Sequence, residues 1–253
     1  ASSGSPASVA IQNNGFESEL PHYQSWSFFS APGKSDANWN AGFRIANSTG
    51  TTVGSGTLGP WNSSGAGSHF HLQSSTASSS TDWDGHTLRI VAPAAGSYTL
   101  AWREANLGFY NTALSTWWGD NDARTHWYLD DSSDAVANFV EVAVAPWISK
   151  PTTQYGSTAA PTGKYGTWLN RSVTINIPAA GTWDLAFAIE GTGTGTGQTS
   201  LLYFGIDDVQ LTGGPGCEGP QSYSLSIANS TAFGDRNGAG AATTTTTSTM
   251  NAN

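Results

Sequence analysis

Residues 202–211 read Leu-Tyr-Phe-Gly-Ile-Asp-Asp-Val-Gln-Leu, and their apolar side chains follow the two-residue period of a half-buried strand. The period changes phase partway. Phe204 and Ile206 fall on even numbers, Val209 and Leu211 on odd ones. A straight strand cannot turn all four to one face, but one inserted residue can, and an inserted residue is a β-bulge that re-aims its neighbours. The pattern predicts a kinked strand that closes the core, with Asp207 and Asp208 turned away from the apolar face as a candidate cation site.

Composition narrows the fold class to all-β. The chain of 253 residues holds 30 Gly, 11 Pro and 11 Trp with many Ser and Thr, while charged residues make up 11%, too few for the exposed faces of ordinary amphipathic helices. Its formal net charge of -9 argues against a phosphate backbone as partner and suits cations or neutral glycans. The lone cysteine, Cys217, permits no intrachain disulfide and no cysteine-based metal site. No apolar run reaches the roughly 18 residues needed to span a bilayer as a helix. The small-residue start resembles the mature end left after signal cleavage, so the expected location is extracellular or the cell surface.

Near the beginning, Ser8-Val9-Ala10-Ile11 alternates as a short strand and leads into Asn13-Asn14-Gly15-Phe16-Glu17, a turn with a core plug and an emerging carboxylate. This early Asn-Gly-Phe-Glu, Trp26 some residues later, and the final Ile-Asp-Asp-Val-x-Leu strand resemble secreted galactose-binding-like jelly rolls, the fold of several carbohydrate-binding modules and bacterial surface proteins. The resemblance spans Val9 to Leu211. It implies a jelly-roll β-sandwich over residues 8–212, preceded by a flexible lead at 1–7. It also implies a structural calcium held by Glu17 and Asp208, with Asp207 as a further candidate.

A second pattern is internal. Pro-Ala-Ala-Gly-Ser-Tyr-Thr-Leu-Ala-Trp at 93–102 recurs as Pro-Ala-Ala-Gly-Thr-Trp-Asp-Leu-Ala-Phe at 178–187. Each copy follows an apolar strand and precedes an alternating one, which predicts two β-hairpins, one in each half of a sandwich. Glu104 and Glu190 follow the two copies at nearly matching places, making them the candidate pair for glycosidase or lyase chemistry. Neither lies in a hydrolase or metalloprotease signature, so catalysis is the lesser expectation. Residues of about 106–154 read as a long loop insertion. There Trp117, Trp118, Trp127 and Tyr128 stand beside Asp120, Asp122, Asp130, Asp131 and Asp134, the mix of rings and hydroxyl acceptors that sugar-binding surfaces use. His69 and His71 alternate on a strand and, without a third ligand at metal-site spacing, are expected on a solvated face.

The last segment, 213–253, turns Gly-rich and then Thr-rich. It has too little apolar surface to fold alone, but residues 243–249 are β-branched and suit pairing with a sheet edge. Three functions fit these features. The foremost is a calcium-stabilised structural or surface-matrix protein that assembles with copies of itself into a fibre, sheath or layer. The alternative is a non-catalytic carbohydrate-binding module with a polysaccharide partner; a glycoside hydrolase or polysaccharide lyase comes third. Neither nucleic-acid binding nor membrane insertion is expected.

Overall fold

The computed structural model describes residues 8–17, 25–34, 43–47, 51–53, 56–58, 64, 69–76, 83–107, 109–111, 116–118, 121–133, 137–149, 166–192 and 201–214. All of their regular structure is β. Two antiparallel sheets face each other. In the first, β13 (Leu169–Ile177), β8 (Gly96–Leu107), β15 (Leu201–Gly213), β6 (His69–Thr76) and β3 (Phe43–Asn47) lie in that order, and β1 (Ser8–Val9) pairs with the far end of β15. The second runs β12 (Val140–Val144), β11 (Ala123–Asp131), β14 (Gly181–Gly191), β7 (Asp84–Ala92) and β2 (Ser27–Ser30). Two small ribbons, β4 (Thr51–Val53) with β5 (Gly56–Leu58) and β9 (Phe109–Asn111) with β10 (Thr116–Trp118), stand apart. The chain passes repeatedly from one sheet to the other, which is the jelly-roll sandwich that the sequence implied.

Between the sheets, alternate residues interlock. Trp127 is fully buried, with ring centroids 5.2 Å from Trp102 and 5.5 Å from Phe187. Leu88, Ile90, Leu100, Ile175, Leu185, Phe204, Ile206, Val209 and Leu211 complete one continuous core. Every second residue of the central strands reaches it, as period-2 patterning requires.

The repeated Pro-Ala-Ala-Gly segments are not hairpins. The strands flanking each turn belong to different sheets, so each copy is an arch that crosses the sandwich. The arches lie side by side and run in opposite senses: β13 pairs with β8, bringing Ile177 opposite Gly96, and β14 pairs with β7, bringing Gly181 opposite Ala92. Their aromatic residues show why the motif repeats. Tyr98 donates its hydroxyl to the Ala94 carbonyl at 2.7 Å, and Trp183 donates its indole N–H to the Ala179 carbonyl at 3.0 Å. In both, a ring four residues on from the carbonyl it bonds folds back to satisfy the turn, and a glycine at φ 142 (Gly96) or 144 (Gly181) supplies the intervening conformation. A hairpin and an arch share the pattern of strand, turn and strand; they differ in whether the flanking strands bond to each other, which depends on partners distant in sequence.

Two further expectations change. The segment of about 106–154 is not a loop insertion, because it contributes β11 and β12 to the second sheet and Trp127 to the core. His69 and His71 do face the same way, but inward. β6 lies between β15 and β3, and His71 is fully buried against Phe16, His86 and Phe187 at centroid separations of 5.6, 5.1 and 5.1 Å. His69 starts the strand, so it reaches the rim and contacts Glu17.

Burial lowers the His86 pKa from 6.5 to about 3, so the ring stays neutral in the folded protein while it protonates readily once unfolded. The unfolded chain then holds the extra proton, and stability is lost as pH falls below 6.5 toward 3. In His86→Phe, acid unfolding followed by circular dichroism is expected to shift to lower pH. Trp127→Ala is expected to lower unfolding free energy by about 3–5 kcal/mol in urea melts, the cost of a large buried ring.

Candidate functional site

The kink in β15 is a bulge. Asp207 pairs with Arg103 of β8 and Gln210 with Ala101, so Asp208 and Val209 together oppose a single residue. Asp208 adopts φ 49, the left-handed region that aspartate tolerates better than most residues. At this point β15 also changes partner, from β6 over Leu201 to Ile206 to β1 over Leu211 and Thr212. The turn before Glu17 fills the junction. The Asn14 carbonyl accepts the Val209 N–H at 3.0 Å, and Phe16, at φ 53, drives a fully buried ring against Trp26 at 5.6 Å.

Three acids meet around this junction. Asp207 points away from the core but is buried, accepting the Ser64 hydroxyl and, at 2.8 Å, the Asp208 N–H. Burial pushes its carboxyl up to about 7 against the pull of those two hydrogen bonds, and the charges of Asp208 and Glu17 push the same way. Asp208 accepts the Gln210 amide at 2.7 Å and lies 3.7 Å from the Arg103 guanidinium, which also donates to the Ser64 carbonyl. Glu17 accepts the His69 backbone N–H at 2.8 Å and meets its ring Nδ1 at 3.0 Å. The donor chemistry fits calcium, since the acids and Ser64 offer only oxygen. Among the described residues, no group of three or more His, Cys, Asp or Glu is disposed to hold a metal ion.

Because folding raises the Asp207 pKa, the native state holds the extra proton, and this residue's contribution to stability falls as pH rises from about 4 to about 7. Asp207→Asn in chelator-treated protein is expected to remove that slope from melting temperatures measured across the window.

A second feature lies on the open flank, where edge strands β12 and β13 face each other. A cavity of about 310 Å³ opens there, floored by Leu129, Val142 and Trp183 and rimmed by Asp130, Asp131, Asn138 and Asn176. The Trp183 bond to its own arch fixes the indole in place. The Asp130 carboxylate accepts the Asn138 N–H at 3.0 Å, tying the start of β12 to the end of β11. Asp131 accepts the Ser133 N–H at 2.9 Å, and hydrogen bonds from Ser133 hold its carboxyl below the usual range.

The outer face of the second sheet carries a cluster of its own. Phe29, Tyr128, Ala186 and Ala188 pack there with Trp83 and Phe139. Beside them His126 lies between Glu141 and Glu190, and Arg124 bonds Glu190 while stacking over Trp147.

The structure separates Glu104 from Glu190. Glu104 points between the sheets, fully buried, and accepts Trp102 Nε1 at 2.8 Å, Thr125 Oγ1 at 2.5 Å and Arg171 Nε at 2.6 Å. Glu190 belongs to the outer face. Trp127 is core, and Tyr128, next along the strand, joins the outer cluster. Trp117 and Trp118 form β10, with side chains outside the described residues; Asp120 and Asp134 also fall outside them, as do Cys217 and 215–253. The Asp122 carbonyl accepts the Thr192 N–H at 3.0 Å, which joins the two strand ends. Trp183, Asn138 and Asn176 were not singled out from sequence. Trp183 sat in the repeated motif, but nothing local shows that the arch would aim it into a cleft.

No protein-family model matches the chain, and no curated protein sequence matches it. Similar solved structures include a CBM61 domain in complex with β-1,4-galactotriose, at 13% identity, covering 81% of this chain and 98% of that one, with a TM-score of 0.39. The CBM22-1 xylan-binding domain of Paenibacillus barcinonensis Xyn10C is 12% identical, covers 84% and 96%, and has a TM-score of 0.39. The K2 cleaved adhesin domain of Lys-gingipain is 16% identical, covers 79% and 97%, and has a TM-score of 0.43.

Proposed function

We propose that this protein is a non-catalytic carbohydrate-binding module that holds a neutral glycan in the flank cleft. The observation that carries this reading is the cleft's lining, in which the indole of Trp183 is set among Asp130, Asp131, Asn138 and Asn176. An indole offers an apolar face to a sugar ring, while carboxylates and amides accept and donate to its hydroxyls. A volume of about 310 Å³ lies at the small end of ligand sites and suits one or two sugar units. Two aspartates on the rim disfavour uronates and sulfated sugars. Catalysis gains no support from Glu104 and Glu190, since acids on opposite sides of a sheet cannot flank one glycosidic bond. An extracellular location follows from the proposed ligand.

Calcium at Glu17, Asp207 and Asp208 belongs to the same proposal on the oxygen-donor chemistry of these residues alone, since the fold does not gather the three as a ready-made metal cluster. A divalent cation relieves the repulsion among these carboxylates and stiffens the junction of the first and last strands. A second reading, self-association through a sheet edge, draws support from β12, which ends its sheet with Val140 and Val144 exposed at 59% and 41%. Deleting residues 238–253 tests whether the Thr-rich segment takes part, with particle size by electron microscopy as the readout.

Binding to neutral polysaccharides, measured by affinity electrophoresis and calorimetry, is expected to fall at least about tenfold, or about 1.4 kcal/mol, in Trp183→Ala. Trp183→Phe is expected to keep most of it; full binding by the alanine variant removes the cleft from consideration. Chelation is expected to lower the melting temperature of the native protein but not of Glu17→Gln or Asp208→Asn. An unchanged melting temperature across a wide calcium titration counts against the metal.

A further inference from the structure

We propose that the flank cleft prefers, among the glycans it can hold, sugars that carry a free, protonated amino group over their fully neutral counterparts. The inference rests on reading this cleft as the glycan site and adds the charge that its ligand bears. β11 and β14 share a ladder whose last pair sets Asp131 directly opposite Trp183. Cross-strand partners point to the same face with Cβ atoms about 5 Å apart, so a carboxylate stands beside the indole.

The charges around this pair do not cancel. One step back along the ladder Asp130 faces Asp184, and Arg89, opposite Asp184 on β7, donates to both Asp184 oxygens at 3.1 and 3.2 Å. That guanidinium matches one acid of the three. Asp130 and Asp131 accept the Asn138 and Ser133 N–H groups, which carry no net charge, and among the described residues lining the cleft there is no Lys, Arg or His. Asp130 is buried, so water shields it poorly. Hydrogen bonds from Ser133 hold Asp131 below the usual carboxylate range and keep it ionised near neutral pH.

An ammonium group brings three donors and no acceptor, while a carboxylate brings about four acceptor sites and no donor. The two therefore suit each other better than either suits a hydroxyl, and a hydrogen bond between ions is the stronger kind. Ring hydroxyls are left to the amides of Asn138 and Asn176, which both donate and accept. The floor of Leu129, Val142 and Trp183 displaces water beneath the contact and strengthens it. A fully neutral sugar remains a ligand, held by the amides and the apolar floor, but it leaves both carboxylates unmatched.

Calorimetry on the full chain compares a glucosamine tetramer with the glucose and N-acetylglucosamine tetramers of the same linkage. The amino oligomer is expected to bind about five- to tenfold more tightly at low salt, with the advantage shrinking as salt screens it. Asp131→Asn is expected to reduce that advantage and Asp130→Asn combined with it to abolish it. Glu141→Gln, which removes one charge from the opposite face of β12, is expected to keep it. Equal affinity for the three oligomers overturns the preference, and the cleft reading still stands if Trp183→Ala weakens them all. An advantage that survives both aspartate substitutions overturns the preference too, by tracing it to the net charge of -9. So does a lysine tetramer that binds as tightly as the amino sugar, since the cleft then selects charge without sugar. If Trp183→Ala leaves every affinity unchanged, the cleft is not the site and both readings fall.

Discussion

The sandwich depends on one extra residue in its central strand. β15 lies in the middle of the first sheet and must present Phe204, Ile206, Val209 and Leu211 to one core while serving β8 along one side and two successive partners along the other. The bulge at Asp208 restores the phase. It also fixes the chain's beginning, since the space between the ends of β6 and β1 is filled by the Asn13 to Phe16 turn and its buried ring. A left-handed phenylalanine is an unfavourable conformation that persists only where surrounding packing outweighs it, and Phe16 has that packing in Trp26 and His71. The chemistry at this junction follows from geometry. Acids turned out of the core meet other acids, and burial of one of them makes its charge costly.

The twin arches complete the framework from the other end. Each carries the chain across the roughly 10 Å between facing sheets, and each is held by an aromatic residue returning a hydrogen bond to its own turn. Because the arches run in opposite senses, strands that follow similar motifs enter different sheets. Both rings belong to the core, Tyr98 wholly buried and Trp183 8% exposed, but Trp183 also lines the cleft at the open flank. A structural device of the fold thereby supplies the indole proposed to meet a ligand.

Polar groups are distributed with similar economy. Glu104 links the sheets internally, with Arg171, Trp102 and Thr125 satisfying it, as a buried charge requires. On the outer face of the second sheet, His126, Glu141, Glu190 and Arg124 tie three neighbouring strands under a cover of aromatic rings.

What could be read from the sequence was local in origin. The all-β class follows from composition, and the bulge follows from a phase slip between Ile206 and Val209, because side-chain alternation along a strand depends only on neighbours. The repeat was visible for the same reason, and so was the proximity of Glu17 to the kink once the first and last strands were taken to meet. The second partner of each strand was not visible. Trp127 and Tyr128 read alike as exposed aromatics, yet one entered the core and the other an outer cluster; Glu104 and Glu190 read as a pair, yet one shares the parity of Trp102 and the other opposes that of Phe187. Turns that looked like hairpins became arches, a supposed insertion became two strands of a sheet, and the cleft at Trp183 arose where two edges face each other. Those outcomes depend on which strands pair across long separations, a choice set by the total apolar surface the two sheets can bury together and not by any short stretch of residues.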